Sequence, residues 1–175
     1  MRKKALLFWV IIAGLLQGLS AQDKAQLEKE RQAIQQELED IQQMADSDTV
    51  AVSLPGTPFG LAQNQYTPAK AIIEADGLLA LASDLNPGTT WNESMQFIIA
   101  LACRYMGLTP AQAIAAVTIN AAAAIQLEDQ VGSIEAGKQA DLLVLNVPDF
   151  RHLGYRYGTN LVSYIFKRGK LFSIG

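Results

Sequence analysis

A continuous apolar run at residues 78–83 constrains the fold more than any other feature of the sequence. The run reads Leu-Leu-Ala-Leu-Ala-Ser, and polar residues do not alternate within it. A strand that is apolar on both faces is typical of a parallel sheet buried between layers of helices. Helical patterns lie on both sides of the run, so the sequence predicts an α/β fold.

The neighbouring segments follow the alternating strand and helix order of a barrel. The pairs Thr67-Pro68 and Thr109-Pro110 are each typical of a helix start, with the threonine as the cap. The 175 residues of the chain are too few for a complete eightfold barrel, which needs roughly 200 or more. The pattern predicts strands at 49–54 and 78–83 and helices at 68–75, 93–106 and 109–127, which is at most part of such a barrel.

The C-terminal end of the chain is poor in helix. A strand at residues 142–147 is followed by a second at 164–167, which turns at Arg168-Gly169. This pattern predicts part of a small accessory β-sheet beside the barrel segment.

The first 21 residues have the pattern of an export signal. Basic residues at 2–4 precede an apolar stretch over 5–19, and the small residues Ser20 and Ala21 follow. This is the order of a secretory signal and its cleavage site. A membrane anchor is the alternative, but the stretch is shorter than the ~20 residues that span the hydrocarbon core. If the signal is genuine, we expect a protein exported to the periplasm or the extracellular space.

Residues 22–47 form a separate segment that is rich in Gln, Glu, Lys and Arg. Its apolar residues Leu27, Ile34 and Ile41 recur every seven positions, a helical spacing with heptad character. Two interpretations stay open: a solvated amphipathic helix, or a coiled coil that binds a helical partner through residues 23–44. With the signal before it, the segment resembles the N-terminus of exported peptidoglycan-peptidase-type coiled-coil proteins.

We expect a functional site in the turn where the apolar strand ends. Asp84 and Asn86 lie in the turn Ser-Asp-Leu-Asn-Pro-Gly-Thr directly after it. In parallel α/β folds, sites are built at the carboxyl ends of the strands. From the residues alone, Asp84 is either a carboxylate of such a site or a turn aspartate that caps a helix beginning after Pro87.

Composition excludes several classes of protein. The formal net charge is −3 and 18% of the residues are charged, which marks neither a nucleic-acid binder nor a disordered chain. A disulfide within the chain is impossible because there is one cysteine. Cys103 lies in an apolar run and is predicted to be a small buried hydrophobic residue.

Five sequence patterns in residues 48–175 resemble known enzymes. Two of them resemble the end of many amidohydrolase-superfamily enzymes: Gly-Ser-Ile-Glu-Ala-Gly-Lys-Gln-Ala-Asp at the start of 132–145, and the Thr-x-Asn-Ala-Ala pattern of 118–127. The other three are similar to segments of imidazolonepropionases: the turn at 83–89, Leu-Pro-Gly-Thr-Pro-Phe-Gly-Leu at 54–61, and Tyr-x-x-Gly-x-Asn-Leu-Val at 155–162. The resemblance extends over everything after Ser47, and it covers the C-terminal third of such an enzyme.

The resemblance implies a partial metallo-hydrolase barrel and a specific reaction. That reaction is hydrolysis of the ring amide of 4-imidazolone-5-propanoate, a small molecule, to N-formimidoyl-L-glutamate in histidine degradation, with one zinc or iron ion. By the same resemblance, Asp84 ligates the metal and orients the water. Asn86 and Gly88 hold the substrate or product, and Thr89 binds the substrate.

The sequence lacks most of the ligands that such a metal site needs. A catalytic zinc takes about three protein ligands, most often histidines, and the chain has one histidine. His152 matches no metal ligand of the family, and we predict it at the surface or in an interface. We therefore expect that this chain alone does not retain the metal and is inactive, and that activity needs a complementing barrel fragment. Unpaired strand edges also predict self-association.

Two functional hypotheses follow. The first is a fragment of an imidazolonepropionase, a family whose members are expected in the cytoplasm, joined to a foreign N-terminus. The second is an exported, non-catalytic protein of the cell envelope that binds a partner through its N-terminal helix. The two differ in the role that they give to residues 23–44.

Overall fold

A computed structural model of the chain describes residues 20–172. Contacts divide the chain into two compact units, Met1–Asp40 and Ile41–Gly175. The predicted export signal lies outside the described residues except for its last two positions. Within the described part, no helix is long and apolar enough to cross a membrane.

The predicted N-terminal helix is confirmed as α1, Ala21–Ala45. Side chains four residues apart stabilise it through hydrogen bonds, such as Gln26 to Glu30 and Gln35 to Glu39, both at 2.8 Å. Its apolar stripe is open to solvent at Ile34, which is 58% exposed.

The parallel strand pair is also confirmed. Strand β1, Val50–Ser53, pairs with β2, Leu78–Leu81, with Val50 opposite Leu78 and Ser53 opposite Leu81. The last three residues of β2 are buried, as a strand apolar on both faces requires. Two short helices lie between the strands: α2 at Gly56–Gly60 and α3 at Ala69–Glu74.

The predicted cap of α3 is wrong. Thr67 makes no capping hydrogen bond, and Pro68 is the cap residue. The Thr67 hydroxyl instead pairs with the Ser53 hydroxyl at 2.7 Å. Ser53 is buried, so the hydroxyl of Thr67 helps to satisfy a polar group at the end of β1, whose other partner is Met106 Sδ at 4.0 Å.

Three helices follow β2 in the chain, and the second and third of them pack against it. Helix α4, Met95–Tyr105, begins at a Ser94 cap, two residues later than predicted. Helix α5, Pro110–Val117, begins at Thr109, whose side chain and Gln112 form a capping box. The predicted Thr109 cap is therefore confirmed.

The single long helix predicted after Thr109 is wrong. The chain leaves the helical conformation at Thr118 and resumes as α6, Ile119–Ala124. The Thr118 hydroxyl donates to the Ile114 carbonyl at 2.7 Å, a local bond of the kind that can bend a helix. Asn120 then donates to the Leu79 carbonyl at 2.9 Å, which ties α6 to β2.

One apolar core joins the strands to these helices. Its largest members come from β2 and α4, where Leu79, Leu81, Ile98 and Leu101 are at most 2% exposed. Small residues let the helices approach the sheet closely, because Ala102, Ala113 and Ala116 are also buried.

The C-terminal strands form a separate antiparallel sheet, as predicted. Strand β3, Leu142–Leu145, pairs with β4, Val162–Lys167, which pairs with β5, Lys170–Phe172. A 3-10 helix at Phe150–Gly154 connects β3 to β4 and packs against α4.

Candidate functional site

The loops after β1 and β2 meet at the carboxyl ends of the two parallel strands. Asp84 lies three residues beyond β2, half-buried, with a φ of +50°. Thr57, in the first turn of α2, donates a hydrogen bond from its hydroxyl to Asp84 Oδ2 at 2.5 Å. The alternative in which Asp84 caps a helix after Pro87 is wrong, because residues 87–94 are not helical and its carboxylate binds Thr57.

Asn86 holds the turn that follows Asp84. Its Nδ2 donates to the Asp84 carbonyl at 2.7 Å, and its Oδ1 accepts from the backbone N–H groups of Gly88 at 2.9 Å and Thr89 at 2.8 Å. The Asn86 N–H also donates to the Thr90 carbonyl at 2.9 Å. The four residues predicted for the site therefore lie together in one hydrogen-bonded turn.

Two glycines allow the first loop to pack on this turn. A Cβ at Gly60 would lie 2.0 Å from the Thr89 carbonyl oxygen, and one at Gly56 would lie 2.7 Å from Thr90 Cγ2. Side chains at these positions would overlap their neighbours, so glycine is required for the close approach.

Four residues of this arrangement were not predicted from the sequence. Thr57, Gly56 and Gly60 all belong to the 54–61 segment, for which only the resemblance to a family was noted. Thr90 was also missed: it is buried, and its hydroxyl has no hydrogen-bond partner among the described residues. The position of the 54–61 segment at the carboxyl end of a predicted parallel strand was the signal that could have identified it.

The described residues do not make a complete metal site. Residues 20–172 contain no group of three or more His, Cys, Asp and Glu side chains that could hold a metal ion. Asp84 offers one carboxylate, which is already bonded to Thr57 through one oxygen. One ligand is fewer than the three that a catalytic zinc needs from protein, so the donor set of this chain does not fit the ion by itself.

His152 lies in the 3-10 helix rather than in the turn around Asp84. It is half-buried, and its Nδ1 is buried without a hydrogen-bond partner among the described residues. His152 is therefore not fully exposed, and its prediction as a surface or interface residue stays a prediction. Cys103 is half-buried too, and burial raises the pKa of its thiol, which agrees with an unreactive apolar role.

Asp141, in the 132–145 motif, has a structural role. Its carboxylate accepts from Lys167 Nζ at 2.5 Å and from the Arg168 N–H at 2.8 Å. These hydrogen bonds lower the pKa of Asp141 to about 2, with the Lys167 side chain as the largest cause. Asp141 thereby ties the entry of β3 to the turn between β4 and β5.

Comparison with known proteins identifies relatives of this chain. A family model described as the amidohydrolase family matches residues 15–171. An imidazolonepropionase of Herpetosiphon aurantiacus is 56% identical over 128 residues, which are 73% of this chain and 30% of the relative. An imidazolonepropionase of Symbiobacterium thermophilum is 47% identical over 133 residues, or 76% and 31% of the two chains. The chain thus spans about three-tenths of the length of these curated relatives.

Solved structures share the fold. A zinc-bound adenosine deaminase of Xanthomonas campestris has a TM-score of 0.68 at 24% identity, over 77% of this chain and 34% of that chain. An amidohydrolase of Thermotoga maritima has a TM-score of 0.57 at 27% identity, over 77% and 34%. Since the family model extends over most of the sequence, the chain belongs to the amidohydrolase family.

Proposed function

We propose that residues 48–175 supply the C-terminal part of an imidazolonepropionase active site. The reaction is hydrolysis of the ring amide of 4-imidazolone-5-propanoate to N-formimidoyl-L-glutamate. The observation that carries the proposal is the turn that groups Asp84, Asn86, Gly88 and Thr89 at the carboxyl ends of β1 and β2. The 56% identity to an imidazolonepropionase supports the choice of substrate.

Each residue has a proposed role in this site. Asp84 is the ligand that the chain contributes to a zinc or iron ion, through the oxygen that Thr57 leaves free. Gly88 and Asn86 hold the substrate or product, and Thr89 binds the substrate. When bound, the ion supplies Lewis-acid activation of water. We infer that this chain alone neither retains the ion nor turns over substrate.

The proposed architecture is the end of a (β/α)8 barrel with part of an accessory sheet. In it, β1 and β2 are the last two barrel strands, and β3, β4 and β5 belong to the accessory sheet. Parallel strands are normally covered on both sides, and two of them form a small fraction of a barrel. We infer that a complementing barrel fragment completes the site, and that the chain self-associates without it.

Complementation tests the proposal directly. The chain is co-expressed with the segment of the Herpetosiphon aurantiacus relative that precedes its matched region, and the purified pair is assayed for metal content and imidazolonepropionate turnover. We expect stoichiometric zinc or iron and turnover in the pair, and neither in the chain alone. An Asp84→Asn chain is the control, because it should co-purify with the segment without supporting turnover. A pair that co-purifies and holds metal yet is inactive would contradict the assigned substrate.

A second candidate function rests on the exposed apolar stripe of α1, where Leu27, Ile34 and Leu38 face solvent. In this alternative, residues 1–21 are an export signal and residues 22–47 form a coiled coil that binds a partner helix in the cell envelope. The first hypothesis places the site in the cytoplasm, and the second places the chain outside it. Deleting residues 23–44 distinguishes them: loss of location or association with unchanged complementation supports the second role.

A further inference from the structure

We propose that Thr57 is a positioning residue that fixes the Asp84 carboxylate in one orientation. The inference rests on the proposed function, in which Asp84 is the carboxylate of the site. Thr57 is not among the residues that the resemblance assigns to that site. It comes from a different strand end, 27 residues earlier in the chain.

The geometry gives the two carboxylate oxygens different roles. Thr57 donates to Asp84 Oδ2 at 2.5 Å, the short end of the range for a hydroxyl bonded to a charged oxygen. Asp84 Oδ1 accepts no hydrogen bond from the described residues. One oxygen is therefore anchored, and the other remains available to a ligand.

Thr57 is itself held in place by its neighbours. The Thr57 N–H donates to the Leu54 carbonyl at 3.1 Å, and the Leu61 N–H donates to the Thr57 carbonyl at 3.0 Å. Gly56 and Gly60, on either side of it, lie against Thr90 and Thr89. The hydroxyl is thus carried by a helical turn that is packed on the very loop that contains Asp84.

The hydrogen bond from Thr57 matters because the Asp84 side chain could otherwise adopt other rotamers. It is half-buried and lies in a left-handed backbone conformation, with φ +50°. A ligand carboxylate that adopts several rotamers binds more weakly, since the ordering must be completed on binding. The orientation of a ligating side chain by a hydrogen-bonded neighbour is a general feature of metal and substrate sites.

The test is solution NMR of the labelled full chain. Three-bond couplings report the Asp84 side-chain rotamer in the wild type and in three variants: Thr57→Val, which replaces the hydroxyl by a methyl group, Thr57→Ser, which keeps it, and Thr49→Val as the control. Thr49 is exposed, at the opposite end of β1. We expect one dominant Asp84 rotamer in the wild type, Thr57→Ser and Thr49→Val, and averaging among rotamers in Thr57→Val.

A second measurement keeps the test decisive if Thr57→Val does not fold. In the wild type, the Thr57 hydroxyl proton should exchange with water about tenfold more slowly than that of Thr49, because a hydrogen bond must open first. A single Asp84 rotamer in Thr57→Val, averaging in Thr57→Ser, or equal exchange of the two hydroxyls would each overturn the proposal. None of these readouts uses turnover, so a failed complementation assay with the expected NMR result would count only against the proposed substrate.

Discussion

At the scale of single residues, the site depends on a contact that glycine alone permits. The Thr89 carbonyl would lie 2.0 Å from a Cβ at position 60, and both groups belong to backbone that cannot rotate away. Gly60→Ala should therefore lower the free energy of unfolding by about 1–3 kcal/mol, as overpacking does, and should separate the two loops. Urea unfolding measures the change.

Gly158→Ala is the matched control for this substitution. A Cβ at Gly158 would meet no atom within 4 Å, so the variant should stay within about 0.5 kcal/mol of the wild type. Equal losses in the two variants would show that the close approach of the loops contributes nothing to stability.

A second prediction at this scale concerns acid stability. The pKa of Asp141 is lowered from 3.8 to about 2 in the folded chain. A depressed pKa contributes stability above the unfolded value, and that contribution is lost as the pH falls from about 4 to about 2. Asp141→Asn should melt at a lower temperature at pH 7 and should lose less stability than the wild type across this range.

Thermal melts between pH 7 and pH 2 provide the measurement. Asp129→Asn is the control, because Asp129 is exposed and forms no salt bridge within residues 20–172. If the Asp141→Asn variant retained the full acid dependence of the wild type, Asp141 would contribute nothing to it, and the dependence would come from other groups such as Asp149, whose pKa the Arg151 side chain also lowers to about 2.

Some residues of the site could be predicted from the sequence and others could not. The position of Asp84 directly after an apolar strand is visible in one local window, but the choice of a site residue over a turn aspartate came from the resemblance to imidazolonepropionases. Thr57 was not predicted, since its hydrogen bond to Asp84 spans 27 residues and depends on strand pairing that no local pattern encodes. Thr67 is a second example: it is a residue type that often caps helices, but its hydroxyl forms a hydrogen bond with the buried Ser53 instead.

At the scale of elements, the start of α5 was predicted correctly from local signals, but the length of that helix was not. The Thr109 cap was predicted correctly because its partners, the Gln112 side chain and N–H, lie three residues away. The break at Thr118 was not predicted, since an alanine-rich sequence favours continued helix. Contact of that turn with Gly132, where a Cβ would lie 2.9 Å from Ile119 Cα, is a tertiary effect.

The capping box at Thr109 gives a prediction for α5. Thr109→Ala removes the side chain that accepts from the Gln112 N–H, and it should cost about 1 kcal/mol of unfolding free energy. Thr109→Ser keeps the hydroxyl and should cost less than half as much. Urea unfolding measures both variants, and equal losses would mean that the methyl group rather than the cap is responsible.

At the scale of the whole molecule, the antiparallel sheet is apolar on both of its faces. Leu143 lies opposite Ile165, which lies opposite Phe172, on one face; Val144 and Tyr164 lie opposite each other on the other face. Sheets of this kind usually expose one polar face and bury the other. Here both faces have the apolar composition of a buried sheet, yet Leu143 is 60% exposed.

This exposure predicts self-association of the chain alone. In sedimentation velocity at micromolar concentration, the wild type should form species larger than a monomer, because contiguous exposed apolar surface drives association. The double variant Leu143→Lys, Leu171→Lys places a charge on each face, and the charge on β5 also blocks an edge strand. The double variant should shift the distribution toward monomer without loss of β structure.

Ile134→Lys is the control for this prediction. Ile134 is 87% exposed but lies outside the sheet, so replacing this single apolar side chain should leave the distribution of species unchanged. A monomeric wild type, or an equal effect of Ile134→Lys, would mean that the sheet is stable in water without a covering layer.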